Sequence, residues 1–125
     1  MKEDECLFCR LKNDKTIILK QTKSFYAIYD INPVSLGHCL LIAKRHVTYF
    51  FDLKEDEVLD YHNLLKELKK TLDDQFSVHG YNIGVNEGKA AGKTVDHLIL
   101  HIIPRYNGDI LNPAGGIRNI LKHKS

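Results

Sequence analysis

"HLILHIIPR", residues 97–105, decides how the rest of the chain is read. In a β-strand, successive side chains point to opposite faces, so Leu98, Leu100 and Ile102 form one apolar row. His97, Ile99 and His101 form the other. The first row is a core; the second places an isoleucine between two histidines, on the face that carries polar chemistry. Working outward, "YNIGVNEG" (81–88) reads as a second strand, joined to the first by the small-residue loop "EGKAAGKT" (87–94). "HCLLIA" (38–43) is a third. "TIILKQ" (16–21) and "FYAIYD" (25–30), separated by "TKS", read as a hairpin, with "INPVSLG" (31–37) as the loop that follows. The clearest helix is "FDLKEDEVLDYHNLLKELKKTLDDQF" (51–76), where Asp52 and Glu55 suit a capping box. Val58, Tyr61, Leu65, Leu68, Leu72 and Phe76 fall on one stripe of that helix, and such a stripe needs a sheet to cover. The pattern is α+β, with a mainly antiparallel sheet.

A chain of 125 residues is long enough for one domain with a real core and too short for two ordinary ones, so residues 1–125 are expected to form a single domain. From about residue 106, the tail "NGDILNPAGGIRNILKHKS" has turn residues and little periodicity, and is expected to lie as an irregular extension over the domain or a partner. The composition is 43% hydrophobic and 27% charged, with no apolar run of membrane-spanning length. "MKEDECLFCR" (1–10) has no signal-peptide core, so a cytoplasmic setting is expected. A net charge of +2, with lysines interspersed among acids, argues against a nucleic-acid partner.

The three cysteines are Cys6 and Cys9 in a C-x-x-C, and Cys39 alone. An odd count argues against a disulfide framework, and Cys39 lies in an apolar run as a small core residue. Two thiolates so spaced at a turn can grip one metal ion, and zinc in structural sites often takes two Cys and two His. From spacing alone, however, the motif reads equally as a redox pair, a metal half-site or two incidental thiols. A thioredoxin-type pair would need a βαβ context that is missing. His62, His79 and His123 are expected to be exposed; His46 or His97 could close a site over the cysteines.

"NEGKAAGKT" (86–94) carries backbone N–H groups that could cradle an anion, with the Thr94 hydroxyl as a further donor. It is one residue short of a Walker A loop and leads into a strand rather than a helix, which excludes a P-loop. An ordinary hairpin turn is the competing reading.

Taken together, "CLFC" (6–9), "YAIYDINPVSLGHCLLIAKRHV" (26–47), "NEGKAAGKTVDHLILHIIPR" (86–105) and "NPAGGIR" (112–118) resemble the histidine triad (HIT) family of nucleotide hydrolases and transferases. The closest likeness is to its bacterial C-x-x-C branch. The resemblance implies a five-stranded antiparallel sheet with one long helix and a short N-terminal helix, assembled as a two-fold homodimer. It implies structural zinc on Cys6, Cys9, His46 and His97. It also implies a nucleotide, a purine nucleoside phosphate, held by Tyr29 and Ile31 at the base, Asp30 at the ribose, and Asn86, Gly92, Lys93 and Thr94 at the phosphate, with His38 and His101 in support.

The family signature is His-φ-His-φ-His-φ-φ, with φ apolar, and its central histidine attacks the α-phosphorus to form a nucleotidyl-histidine. Ile99 occupies that position. An isoleucine has no lone pair, so covalent catalysis by that route is lost. His97 and His101 would each stand roughly 6–7 Å along the strand, too far to replace it. Lys93 stands where the family usually has glutamine, and Leu111 and Ala114 also depart from its pattern, Ala114 replacing a common arginine. The reading is therefore a nucleotide-binding relative of nucleoside phosphate and dinucleoside polyphosphate hydrolases, with hydrolysis lost or crippled. The alternatives are an altered, inactive form of an active hydrolase, and a zinc-stabilised dimeric interaction module without ligand.

Overall fold

The computed structural model describes residues 5–121; residues 1–4 and 122–125, His123 among them, lie outside it. Five strands form one sheet: β1 (Lys20–Gln21), β2 (Phe25–Tyr29), β3 (Cys39–Ala43), β4 (Gly80–Val85) and β5 (Ile99–Arg105), ordered β1-β2-β3-β5-β4. All four pairings are antiparallel. Two α-helices accompany them, α1 (Leu7–Leu11) and α2 (Glu55–Gln75), with short 3-10 turns at Phe50–Asp52, Lys89–Ala91 and Gly116–Leu121.

The pleat sorts residues as its period of two requires. Phe25, Ala27, Cys39, Leu41, Leu98, Leu100 and Ile102 join Leu64, Leu68 and Leu72 of α2 in the main core. On the other face, Tyr26, Ile28, Leu40 and Ile42 form a second apolar cluster, against which Ile99, Phe8 and Leu11 pack. Cys39 is wholly buried, and burial pushes its thiol up to about 12. It is a core residue. His97 and Leu98 precede β5 rather than begin it. Pro104 is tolerated inside β5 because β3 pairs only as far as Ile102, so the missing N–H falls beyond the doubly paired part of the strand.

Three expectations need correction. First, the predicted strand 16–21 shrinks to Lys20–Gln21. The Asp14 carboxylate accepts both the Thr16 N–H (3.1 Å) and its hydroxyl (2.5 Å), turning the chain where a ladder would otherwise run. Second, α2 begins at Glu55, and its end is closed by the Glu57 carboxylate accepting the Lys54 N–H at 2.9 Å, not by Asp52 and Glu55. Asp52 is taken up in the preceding 3-10 turn. Third, the buried stripe runs through Leu64, which sequence periodicity passed over, while Val58 is exposed. The tail is irregular through residue 115 and then winds into the Gly116–Leu121 turn.

Candidate functional site

Two clusters of chemistry-bearing side chains and two cavities meet along the face of the sheet opposite α2. The first cluster joins the N-terminus to the approach to β5. The donor atoms of Cys6, Cys9, His46 and His97 all lie within 4.8 Å of one another. His97 Nδ1 is 3.2 Å from Cys6 Sγ and 3.6 Å from Cys9 Sγ, and His46 Nδ1 is 3.2 Å from Cys9 Sγ. Four donors around a tetrahedral zinc, at bond lengths of ~2.0–2.3 Å, stand roughly 3.3–3.8 Å apart, so this set fits with little adjustment. The tautomer fits too. His97 Nε2 is 2.7 Å from the Ala43 carbonyl and must donate its proton there, which leaves the Nδ1 lone pair facing the sulfurs. Burial holds the His97 imidazole below its ordinary value, favouring the neutral, ligating form.

The second cluster is Asp30, His38 and His101. Gly37, at φ +89°, turns the chain into His38, and a Cβ there would lie 3.1 Å from the Phe76 ring and 3.3 Å from Pro104. Glycine is thus required both by conformation and by close approach. The protons of this cluster can be placed. The Val34 N–H donates to His38 Nδ1 at 3.2 Å, so the His38 proton must sit on Nε2. From Nε2 it is donated to His101 Nδ1, 2.9 Å away. His101 therefore carries its own proton on Nε2. Burial lowers both imidazoles from their ordinary value, against the opposing pull of Asp30, and this keeps the pair neutral. Two histidines and a carboxylate suggest a metal, but His38 Nε2 is a donor here, not a lone pair. A metal on it would leave the Val34 N–H facing a second N–H.

Between the clusters lies a cavity of about 370 Å³. Tyr29, Asp30, Ile31, Asn86, Gly92, Lys93, Thr94, His97, Ile99 and His101 all border it. His38 stands behind, its Nε2 2.9 Å from His101 Nδ1 and 3.5 Å from Asp30 Oδ2. Tyr29 borders the cavity, yet its hydroxyl donates to Gln75 at the end of α2, 2.9 Å away, because residue 29 falls on the α2 side of the pleat. Leu7, Phe8 and Leu11 of α1 close one side of the same cavity. Sequence reasoning missed these three, although the apolar i, i+1, i+4 spacing around Cys9 was there to be read.

The loop also differs from the expected cradle. The N–H groups of Ala91 and Lys93 donate to the Gly88 carbonyl, and that of Gly92 to the Lys89 carbonyl. These three are turned inward. The Lys93 ammonium reaches back over the start of β5 to the His97 carbonyl at 3.5 Å.

Comparison with known proteins agrees with this geometry. The family model described as "HIT domain" matches residues 10–108. The chain is 37% identical over 108 residues, 83% of its length and 81% of the relative's, to an uncharacterised HIT-like protein of Methanocaldococcus jannaschii. It is 35% identical to adenosine 5'-monophosphoramidase of Schizosaccharomyces pombe over 104 residues, 82% of this chain and 75% of that one. Among solved structures, a zinc-bound histidine triad family protein of Mycobacterium smegmatis superimposes with a TM-score of 0.77 at 32% identity, covering 89% of this chain and 82% of that one.

Proposed function

Because the chain belongs to the HIT domain family, we propose that it binds a purine nucleoside phosphate in the cavity above Ile99, without turning it over through a nucleotidyl-histidine. The observation that carries this reading is the convergence of Asp30, Asn86, Lys93, Thr94 and His101 on one cavity whose floor is an isoleucine. The Asp30 carboxylate can accept from ribose hydroxyls through Oδ2, Oδ1 being engaged by the Asn32 N–H at 2.8 Å. Phe8 and its neighbours on α1 offer an apolar wall to the base. Asn86, Thr94 and the His101 Nε2–H are neutral donors for phosphate oxygens, and Lys93 supplies the charge.

Ile99 packs against the apolar cluster beneath it and offers nothing to phosphorus. Loss of a covalent nucleophile costs about four to six orders of magnitude in rate. Zinc, held by Cys6, Cys9, His46 and His97, would stabilise the fold and do no chemistry, since all four coordination positions are protein atoms. A cytoplasmic setting, where thiols stay reduced, suits that ligand set. Among the described residues no helix is long and apolar enough to cross a membrane.

The test is nucleotide titration of the chain, followed by turnover by Ile99→His. Histidine matches isoleucine closely in size at this half-buried position, and the neighbouring donors are unchanged. Binding of a nucleoside monophosphate, with hydrolysis rising by several orders of magnitude in the variant and a trappable phosphoramidate, is the expected result. A folded Ile99→His protein inert to every nucleotide, together with no binding at millimolar concentration by the unaltered chain, would leave the interaction-module reading in front.

A further inference from the structure

The two histidines of the cysteine cluster come from neighbouring stretches of chain. The Leu98 N–H donates to the Val47 carbonyl at 2.7 Å, which sets residues 46–48 beside residues 96–98. Val47 is buried in the main core, with half-buried His46 and Thr48 on either side of it in sequence. Each histidine turns Nδ1 to a sulfur, so in its ligating form each carries its proton on Nε2. For His97, which is wholly buried, that proton goes to the Ala43 carbonyl.

His46 is served differently. Its Nε2 faces the carboxylate of Asp96, with Oδ2 3.9 Å away. The other oxygen, Asp96 Oδ1, accepts the Thr48 hydroxyl at 2.6 Å, so the carboxylate is tethered to the stretch that carries His46. The gap to Nε2 is about 1 Å beyond hydrogen-bonding distance, and the contact works through charge. A metal on Nδ1 drains electron density from the ring and leaves its Nε2–H side more positive. A carboxylate on that side favours the loaded form and makes the imidazole the better donor. The carbonyl at His97 orients its ring but brings no net charge.

We propose that Asp96 is a positioning residue for metal binding: tethered by Thr48, it orients the His46 ring and strengthens its hold on a zinc ion shared with Cys6, Cys9 and His97. The proposal rests on the zinc reading of the cluster and is independent of the nucleotide.

Competition for Zn2+ between the reduced protein and a chromophoric chelator tests it. Asp96→Asn keeps the shape of the side chain and an acceptor for Thr48, and removes the charge. It is expected to weaken zinc binding about tenfold, the lower end of the range for such outer partners, because solvent screens an exposed carboxylate. The gap between variant and parent should narrow as salt is raised, which a purely structural defect would not do. Asp74→Asn, the same charge change on an exposed turn of α2, should leave zinc affinity at the parent's value. Parental affinity in Asp96→Asn, an equal loss in Asp74→Asn, or a gap indifferent to salt would each overturn the role of Asp96. If the unaltered protein takes up no zinc, the metal reading itself falls and the proposal with it, while nucleotide binding is left to its own titration.

Discussion

At position 99 an imidazole-sized space is filled by carbon, which offers no hydrogen bond to the phosphate proposed to bind beside it. Lys93 is the cation bordering the cavity beside that space. Lys93→Gln should therefore weaken binding of a nucleoside monophosphate by roughly 5- to 30-fold, the loss of one charge-assisted hydrogen bond, and leave the parent nucleoside unaffected. Titration at two salt concentrations checks it: the salt dependence of the nucleotide should shrink with the charge. Such single residues were legible in the sequence where a motif fixed their neighbours. The strand period placed Ile99 and His101 on one face, and C-x-x-C named half of the metal-type cluster. What stayed hidden depended on side-chain direction. The Tyr29 hydroxyl turns to Gln75 because of which side of the pleat the residue falls on, and the N–H groups of Ala91, Gly92 and Lys93 turn inward because Gly88 and Lys89 present their carbonyls to them. No spacing announces either.

At the scale of elements, α2 is held at its start by an ion pair and along its length by leucines. The Arg45 guanidinium grips Glu57 through Nε (2.7 Å) and Nη2 (2.9 Å), and this holds the Glu57 carboxyl at about 2 against an ordinary 4.5. A carboxyl lowered on folding contributes stability that is fully present above its unfolded value and is lost as pH falls through the folded one. Glu57→Gln should cost about 1–3 kcal/mol at neutral pH, and the gap between variant and parent in urea unfolding should close between pH 4.5 and pH 2. Leu68→Ala, from the centre of the buried stripe, should cost about 2–5 kcal/mol by the same measurement. The long helix and the strands at 25–29, 39–43, 80–85 and 99–105 were readable because their periodicity persists. The predicted strand at 16–21 was not, because the Asp14 side chain, six residues before Lys20, competes with the ladder.

At the scale of the whole molecule, two features ask for something beyond the chain. Zinc bound by the four clustered residues would be folding energy, so purified protein should carry close to one zinc per chain, and chelation should lower its melting temperature. Elemental analysis without zinc, with Cys6 and Cys9 freely titratable in the native state, would refute this. The sheet also ends on β4, which pairs only with β5 and exposes Ile83 beside α2. A second copy laid along that edge would form a symmetric dimer, and light scattering at micromolar concentration should give twice the chain mass.

The short helix α1 has two tenants. Its Cys9 turns inward to His46 and His97, while its Leu7, Phe8 and Leu11 form a wall of the cavity that the nucleotide is proposed to fill. Tyr26 clamps the same turn by donating its hydroxyl to the Phe8 carbonyl. Whatever steadies the helix for one occupant steadies it for the other, and thermodynamics makes that debt mutual. Stripping the metal should loosen the grip on the ligand, and a saturating ligand should raise the metal's equilibrium affinity, read by chelator competition, by the matching factor. A protein that only bound its nucleotide, as proposed, would still couple the supply of one small molecule to the retention of another.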